Sequence, residues 1–280
     1  MNPFFRHLAI ASGVALGAVA IAAPRSDAAG AAAPLRVCAD PDYMPFSNQA
    51  GEGFENQVAA FVAKALGRPL EYHWASYRGH GGFSNFLADN LDARKCDAVM
   101  DLPYGDVEES YTQPYYISSY VFVTKKGTQL SSLRSPELRT MKIGFEEDTP
   151  PEEALKFLGL TDNVVPFHIA DNPNASPKSM LQAVEDGKIG VMITWEPAIG
   201  YFLKDYPDLT IAQVPGFQQG PGLPAERFTF AMAMGVREHD TALKDALDSV
   251  IKAHKAQLDA ILARYNVKLY PTLGGGFGNP

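Results

Sequence analysis

The sequence predicts an α/β fold of two lobes, each a mixed, doubly wound sheet flanked by helices, with two crossover strands between them. Three observations lead there. Strand-like and helix-like segments alternate along the chain, which calls for parallel strands joined by right-handed crossovers. The alternation occurs in two separate βαβ sets. Two further strands stand outside those sets, one leading out of the first and one leading back.

The first set opens with Leu35–Cys38 as a short buried strand. Phe54–Leu66 follows as a helix, because Phe54, Val58, Phe61, Val62 and Leu66 share one face. Gly67 stops it at the C-terminal end. Leu70–Trp74 is strand, Phe83–Arg94 helix and Asp97–Asp101 strand. Tyr116–Lys125 is a long β-branched and aromatic strand that leaves this set, and a turn-rich stretch over 127–136 comes next.

The second set begins with Met141–Phe145 as strand. Pro151–Leu158 is a helix entered through Thr149 and Pro150, with Glu152 and Glu153 in its first turn. Val164–Ile169, Ile189–Thr194 and Thr210–Val214 are strands; Pro177–Glu185 and Pro197–Lys204 are helices. Phe228–Val236 is the strand that leads back, and Thr241–Arg264 is a long amphipathic helix or helix pair returning to the first lobe. The expected bounds are residues 34–120 with 228–270 for lobe one, and 121–227 for lobe two. Residues 271–280, rich in glycine, read as a flexible tail.

The N-terminus belongs to neither lobe. Arg6 and His7 precede an apolar run from Leu8 to Ala23, and Ser26-Asp27-Ala28 offers small residues at a cleavage site. This is the layout of a secretory signal peptide over residues 1–28, which implies an exported protein. A retained anchor is the alternative, but the run is short and weakly apolar for a span. Cleavage removes Arg6, Arg25 and Asp27, leaving 22 Lys and Arg against 31 Asp and Glu, so the net charge goes from −8 to −9. Such an acidic chain is a poor partner for nucleic acid. No stable membrane insertion is expected, and a monomer when free.

Cys38 and Cys96 are the two cysteines. They fall on the first and third strands of the first set, which are neighbours in a doubly wound order, so the sulfurs come within bonding range. A disulfide suits an exported protein; two buried free thiols are the alternative.

Ligands of such sheets sit outside the carboxyl ends of the strands. The loops there carry Asp40, Tyr43, Pro45, Phe46 and Ser47, then Trp74, Tyr77 and Arg78, then Asp101, Leu102, Pro103 and Tyr104. Lobe two delivers Glu146, Glu147, Asp148 and Thr149, then Trp195 and Glu196. The expected cleft is aromatic and acidic, formed by Asp40, Tyr43, Phe46, Trp74, Arg78, Tyr104, Thr149, Trp195 and Glu196. Packing beneath loops is the plain alternative for the aromatics, and helix-dipole complementation for the acids at 146–148. No catalytic residue, metal ligand or cofactor of the chain's own is expected. Glu196 alone is a candidate acid or base, with no evident partner; Glu146, Glu147 and Asp148 are the sole dense acidic run that a hard metal would use.

Several stretches together carry a resemblance. They are Cys38-Ala39-Asp40-Pro41-Asp42-Tyr43-Met44-Pro45-Phe46-Ser47-Asn48, Gly51-Glu52-Gly53-Phe54-Glu55-Asn56, Cys96 to Gly105, Pro114 to Val123, and Thr194 to Tyr201. The chain resembles bacterial periplasmic solute-binding proteins of the two-lobed, type II kind. More narrowly it is similar to the solute-binding-like proteins encoded beside quinoprotein methanol dehydrogenases, the J proteins of methanol-oxidation clusters. Amino-acid-binding members of the wider family use a lobe-one Arg to grip the ligand carboxylate, where this chain has Tyr104-Gly105-Asp106-Val107-Glu108-Glu109-Ser110. They use a lobe-two Asp for the amino group, where Trp195 stands. The resemblance therefore implies that free amino acids are not the ligands. It implies an accessory role toward a PQQ-dependent periplasmic methanol dehydrogenase, on the lanthanide-dependent branch. The alternative is the substrate-binding subunit of an ABC importer for a small non-amino-acid solute held in the cleft.

Overall fold

The computed structural model describes residues 32–78, 82–105, 110–169, 172–221 and 225–270. The expected signal peptide and tail lie outside the described residues. In chain order the strands and helices are β1 (Leu35–Ala39), β2 (Asp42–Tyr43), β3 (Ser47–Asn48), α1 (Phe54–Ala65), β4 (Leu70–Trp74), α2 (Gly82–Phe86), β5 (Ala98–Pro103), β6 (Ser110–Tyr111) and β7 (Tyr116–Lys125). Then come β8 (Ile143–Glu146), α3 (Pro150–Phe157), β9 (Val164–Phe167), α4 (Lys178–Glu185), β10 (Val191–Trp195), α5 (Glu196–Ile199) and β11 (Leu209–Gln213). The chain continues through β12 (Phe217–Gln218), β13 (Ala225–Glu226), β14 (Thr229–Val236), α6 (Thr241–Ala253) and α7 (Lys255–Arg264).

The main sheet runs β4-β1-β5-β14-β7-β10-β8-β9, with β11 also on β7 and β6 on β14. The outer trios are parallel, as the alternation requires: Val37 pairs with both Tyr72 and Ala98, and Ile143 with both Val191 and Val164. The two crossover strands are antiparallel neighbours, with Tyr116 opposite Met232 and Ser119 opposite Thr229. β7 spans both halves. Its residues 116–119 pair with β14, and Tyr120–Val123 pair with Trp195–Met192 of β10. It is buried along nearly its whole length, with Ser118 and Ser119 inside an otherwise aromatic and β-branched run; their hydroxyls donate to Glu196 Oε2 and Phe228 O.

β14 approaches β5 closely, and Gly235 permits this: a Cβ there would lie 2.8 Å from Val99 Cγ2 and 2.9 Å from Leu102 Cδ2. A register shift between Ala233 and Gly235 marks the same place. Cys38 and Cys96 form the expected disulfide, with Cα atoms 5.5 Å apart. It sits among Phe86, Leu87, Leu91, Val99 and Leu102.

Differences from expectation are local. The Phe83–Arg94 helix is a short α-helical turn followed by a π-helical one over Leu87–Asp92. The Pro197–Lys204 helix is one α-turn followed by a 3-10 turn over Gly200–Asp205. The C-terminal segment is a helix pair broken at His254, whose ring packs 5.4 Å from Phe61 of α1. That contact returns the C-terminus to the first half of the sheet, with Leu247, Ile251, Leu258 and Leu262 in the same apolar cluster as Val58 and Val62.

Candidate functional site

The loop after β1 folds back as the hairpin β2–β3 and is clamped onto the start of α1. Phe54 and Glu55 donate their backbone N–H groups to Pro45 O and Phe46 O, both at 2.9 Å. Asn56 Oδ1 accepts from the N–H of Asn48 and of Gly53. These bonds satisfy donors that the first helical turn leaves open. The clamp requires glycine at 53, since a Cβ there would meet Phe46 O at 2.0 Å. Tyr43 and Phe46 are thereby fixed with ring centroids 4.9 Å apart, and Glu55 is buried at their side.

Arg78 closes this corner. Its guanidinium lies 3.4 Å from Asp40 and 4.3 Å from the Tyr43 ring centroid, and it donates to Ala175 O at 2.8 Å. Ser76 Oγ donates to the other Asp40 oxygen at 2.7 Å. Both charges are buried, so each compensates the other. The fork of Arg78 is occupied by protein and is not free for a ligand carboxylate.

Two adjoining cavities share Tyr43, Phe46, Pro103 and Trp195 in their linings. The first, about 330 Å³, is lined further by Glu55, Tyr77, Arg78, Phe83, Phe86, Met100 and Asp101. The second, about 320 Å³, is lined by Tyr120, Glu146, Thr149, Pro150, Phe230 and Met232. Trp195, the last residue of β10, packs 5.4 Å from Tyr120 and 6.1 Å from Phe230.

The carboxyls in this region sit in apolar surroundings. Burial pushes Glu55 well above the usual range, and nearby Asp101 and Asp40 push it further. Burial raises Asp101 to about 7, although the Tyr116 hydroxyl donates to it at 2.7 Å. Burial alone raises Glu146 to about 7. Each of these sites favours a neutral acid or a compensating cation.

The structure brings together Tyr43, Phe46, Arg78, Thr149 and Trp195 at the cavity linings. Asp40 sits behind Arg78 as its counter-ion. Asp40 and three further expected site residues line neither cavity. Trp74 stacks on Tyr72 at 4.5 Å, because residues two apart on a strand share a face. Tyr104 is 39% exposed and packs 5.0 Å from Tyr111. Glu196 heads α5 and turns away: its Oε2 accepts from the Lys268 N–H at 3.0 Å and from Ser118 Oγ at 3.4 Å. Its Oε1 is buried with no hydrogen-bond partner among the described residues, and burial raises its pKa to about 7 against the Lys268 bond. The acidic run at 146–148 is split, since Glu147 pairs with His168 at 2.6 Å and Asp148 has φ 57°. Among the described residues no three acidic, His or Cys side chains gather as a metal site. Glu55, Phe83, Phe86, Tyr120, Phe230 and Met232 line the cavities without being marked by sequence. The one available signal was the Gly53-Phe54-Glu55 start of α1.

An open α/β sheet crossed twice by central strands, with cavities at its strand ends, defines a two-lobed periplasmic binding fold. The chain belongs to the bacterial extracellular solute-binding proteins, family 3, whose family model matches residues 35–268. It is 33% identical over 266 residues to Protein MoxJ of Methylorubrum extorquens, covering 88% of this chain and 86% of that one. It is similar to the crystal structure of MxaJ from Methlophaga aminisulfidivorans MPT (TM-score 0.72, 25% identity, 84% of this chain and 100% of that chain). It is also similar to that of the periplasmic binding protein XoxJ from Methylobacterium extorquens AM1 (TM-score 0.66, 30% identity, 85% and 99%). No helix among the described residues is long and apolar enough to cross a membrane.

Proposed function

We propose that this is a non-enzymatic periplasmic protein that serves a PQQ-dependent methanol dehydrogenase as an accessory or maturation factor. Its two cavities form one aromatic, acidic cleft between lobes divided as the sequence predicts, and the cleft holds the dehydrogenase or a segment of it. The observation that carries this reading is the lining itself. Rings converge from both halves of the sheet on Trp195 and Tyr43, and buried aromatics are the usual anchors of a protein contact. The carboxyls favour a basic partner face, and the Arg78 guanidinium at the first cavity is already engaged by Asp40. Likeness to proteins named MoxJ, MxaJ and XoxJ points the same way. The lanthanide-dependent dehydrogenase is the preferred partner in this reading. Affinity capture from the cell's own periplasm tests it: wild type retains the dehydrogenase, and a Tyr43→Ala/Trp195→Ala variant loses it. Equal capture by both, or capture by neither, counts against the reading.

A second reading has its own support. Cavities of about 330 and 320 Å³ fall at the small-molecule end of ligand sites, as in the substrate-binding subunit of an ABC importer. A small molecule that co-purifies and is required for tight folding would favour it.

A further inference from the structure

We infer that a further hollow, beside Tyr201 and Tyr265, docks an acidic segment of a partner protein, with a carboxylate of that segment held between Lys204 and Arg264. The hollow, about 360 Å³, lies between the 3-10 turn over Gly200–Asp205 and the end of α7. It shares no described lining residue with the two cleft cavities, so the site does not depend on what enters the cleft.

Its walls are fixed by the chain itself. Asn266 Nδ2 donates to Gly200 O at 2.9 Å. Gly200 approaches so closely that a Cβ there would meet Asn266 O at 2.7 Å. The Tyr265 hydroxyl donates to Glu52 O, and the Tyr265 ring packs 5.7 Å from Tyr201 and 6.1 Å from Phe54. Binding at such a site costs little ordering of the protein.

Charge selects the occupant. Lys204 and Arg264 are exposed at the rim. Among the described residues neither has a carboxylate partner; Lys204 Nζ stands 3.9 Å over the Tyr201 ring centroid. The adjoining acids are held elsewhere. Asp205, next to Lys204, pairs with Lys178 at 3.2 Å. Glu52 has its carboxylate on Asn48 Nδ2 at 2.9 Å. A carboxylate offered to both cations gains charge-assisted bonds, and the two tyrosine rings take an apolar or aromatic neighbour in the same segment. Tyrosine and arginine are enriched at protein contacts. Because both cations stand open at the rim, the hollow suits a side chain presented by a larger surface, whereas a small ligand is normally enclosed by its site. A basic segment is repelled by the same cations. Nucleic acid, whose phosphates extend past the hollow, meets the rest of a chain with net charge −8.

The test is NMR titration of the ¹⁵N-labelled purified protein with two end-blocked peptides, Gly-Glu-Phe-Glu-Gly and Gly-Gln-Phe-Gln-Gly, and with sodium benzoate. We expect the glutamate peptide to shift the amide signals of Tyr201, Tyr265 and Asn266. It should bind about tenfold more tightly than the glutamine peptide, and more weakly as salt is raised. Lys204→Gln with Arg264→Gln, both exposed, should weaken it about tenfold with Tm unchanged. No binding of the glutamate peptide, equal binding of the two peptides, or binding that the double substitution leaves unchanged overturns the inference. So do shifts that gather at Tyr43 and Phe46 instead, which would put the peptide in the cleft. Benzoate binding as tightly as the glutamate peptide would make a small aromatic carboxylate the occupant and would likewise overturn it.

Discussion

The Arg78 guanidinium lies 3.4 Å from the Asp40 carboxylate and covers the Tyr43 ring at 4.3 Å, with both charged groups buried. This pair fixes the loop that carries Tyr43 and ties it to the Ala175 carbonyl from the second half of the chain. Removing one partner leaves a buried, uncompensated charge. Arg78→Ala should therefore destabilise by about 3–5 kcal/mol, whereas Asp40→Asn with Arg78→Met should cost clearly less. Urea denaturation of the two variants checks this; equal losses would mean that packing, not charge, is what Arg78 supplies.

Stability should fall as pH rises from about 5 to 8. Asp101, Glu146 and Glu196 each have a folded pKa raised to about 7 by burial. In that window the folded state holds protons that the unfolded chain releases, so the unfolded state gains with rising pH. Each group contributes on the order of 2 kcal/mol across the window, and the melting temperature should drop by roughly 10 °C or more. Glu196→Gln, which mimics the neutral acid, should flatten the slope. A melting temperature constant or rising from pH 5 to 8 would show these carboxyls to be better solvated than their burial implies.

Glu196 also separates structure from chemistry. Its Oε2 holds the Lys268 N–H and Ser118 Oγ. Glu196→Ala should cost about 1–3 kcal/mol by leaving those donors buried and unmet, while Glu196→Gln keeps an acceptor and should be near neutral at pH 7. Thermal melts of both variants suffice. Equal loss for Ala and Gln would mean that the ionised carboxylate is what the site needs.

The Cys38–Cys96 bond closes a separation of 58 residues. On the chain-entropy model, replacing both by serine should cost about 4 kcal/mol. Guanidinium denaturation measures it. A thiol assay on the denatured, unreduced protein should find no reactive thiol.

Much of this architecture is legible from periodicity, and the reasons for the misses are physical. The βαβ order was readable because apolar residues repeat at strand and helix spacing, as in Phe54, Val58 and Val62. The two-residue strands of the β2–β3 hairpin have no period to read. The position of Trp74 at a strand end predicts a cleft residue, but alternation pairs it with Tyr72 instead. Trp195 and Glu196 are adjacent, yet one ends β10 at the cavities while the other starts α5 facing Ser118. Glu55 was legible only as an acid in a first helical turn. What turns it into a cavity residue is the contact of Gly53 with the Phe46 carbonyl, a tertiary fact that no spacing encodes.

We propose that this binding fold holds a periplasmic quinoprotein dehydrogenase. Native mass spectrometry of the protein purified from its own periplasm, with mild cross-linking, tests it most directly. The expected result is a cross-linked species with the mass of this chain plus a dehydrogenase subunit, diminished in the Tyr43→Ala/Trp195→Ala variant. A small-molecule adduct on the free chain, with no cross-link to the dehydrogenase in any metal or cofactor state, would contradict it and restore the importer reading.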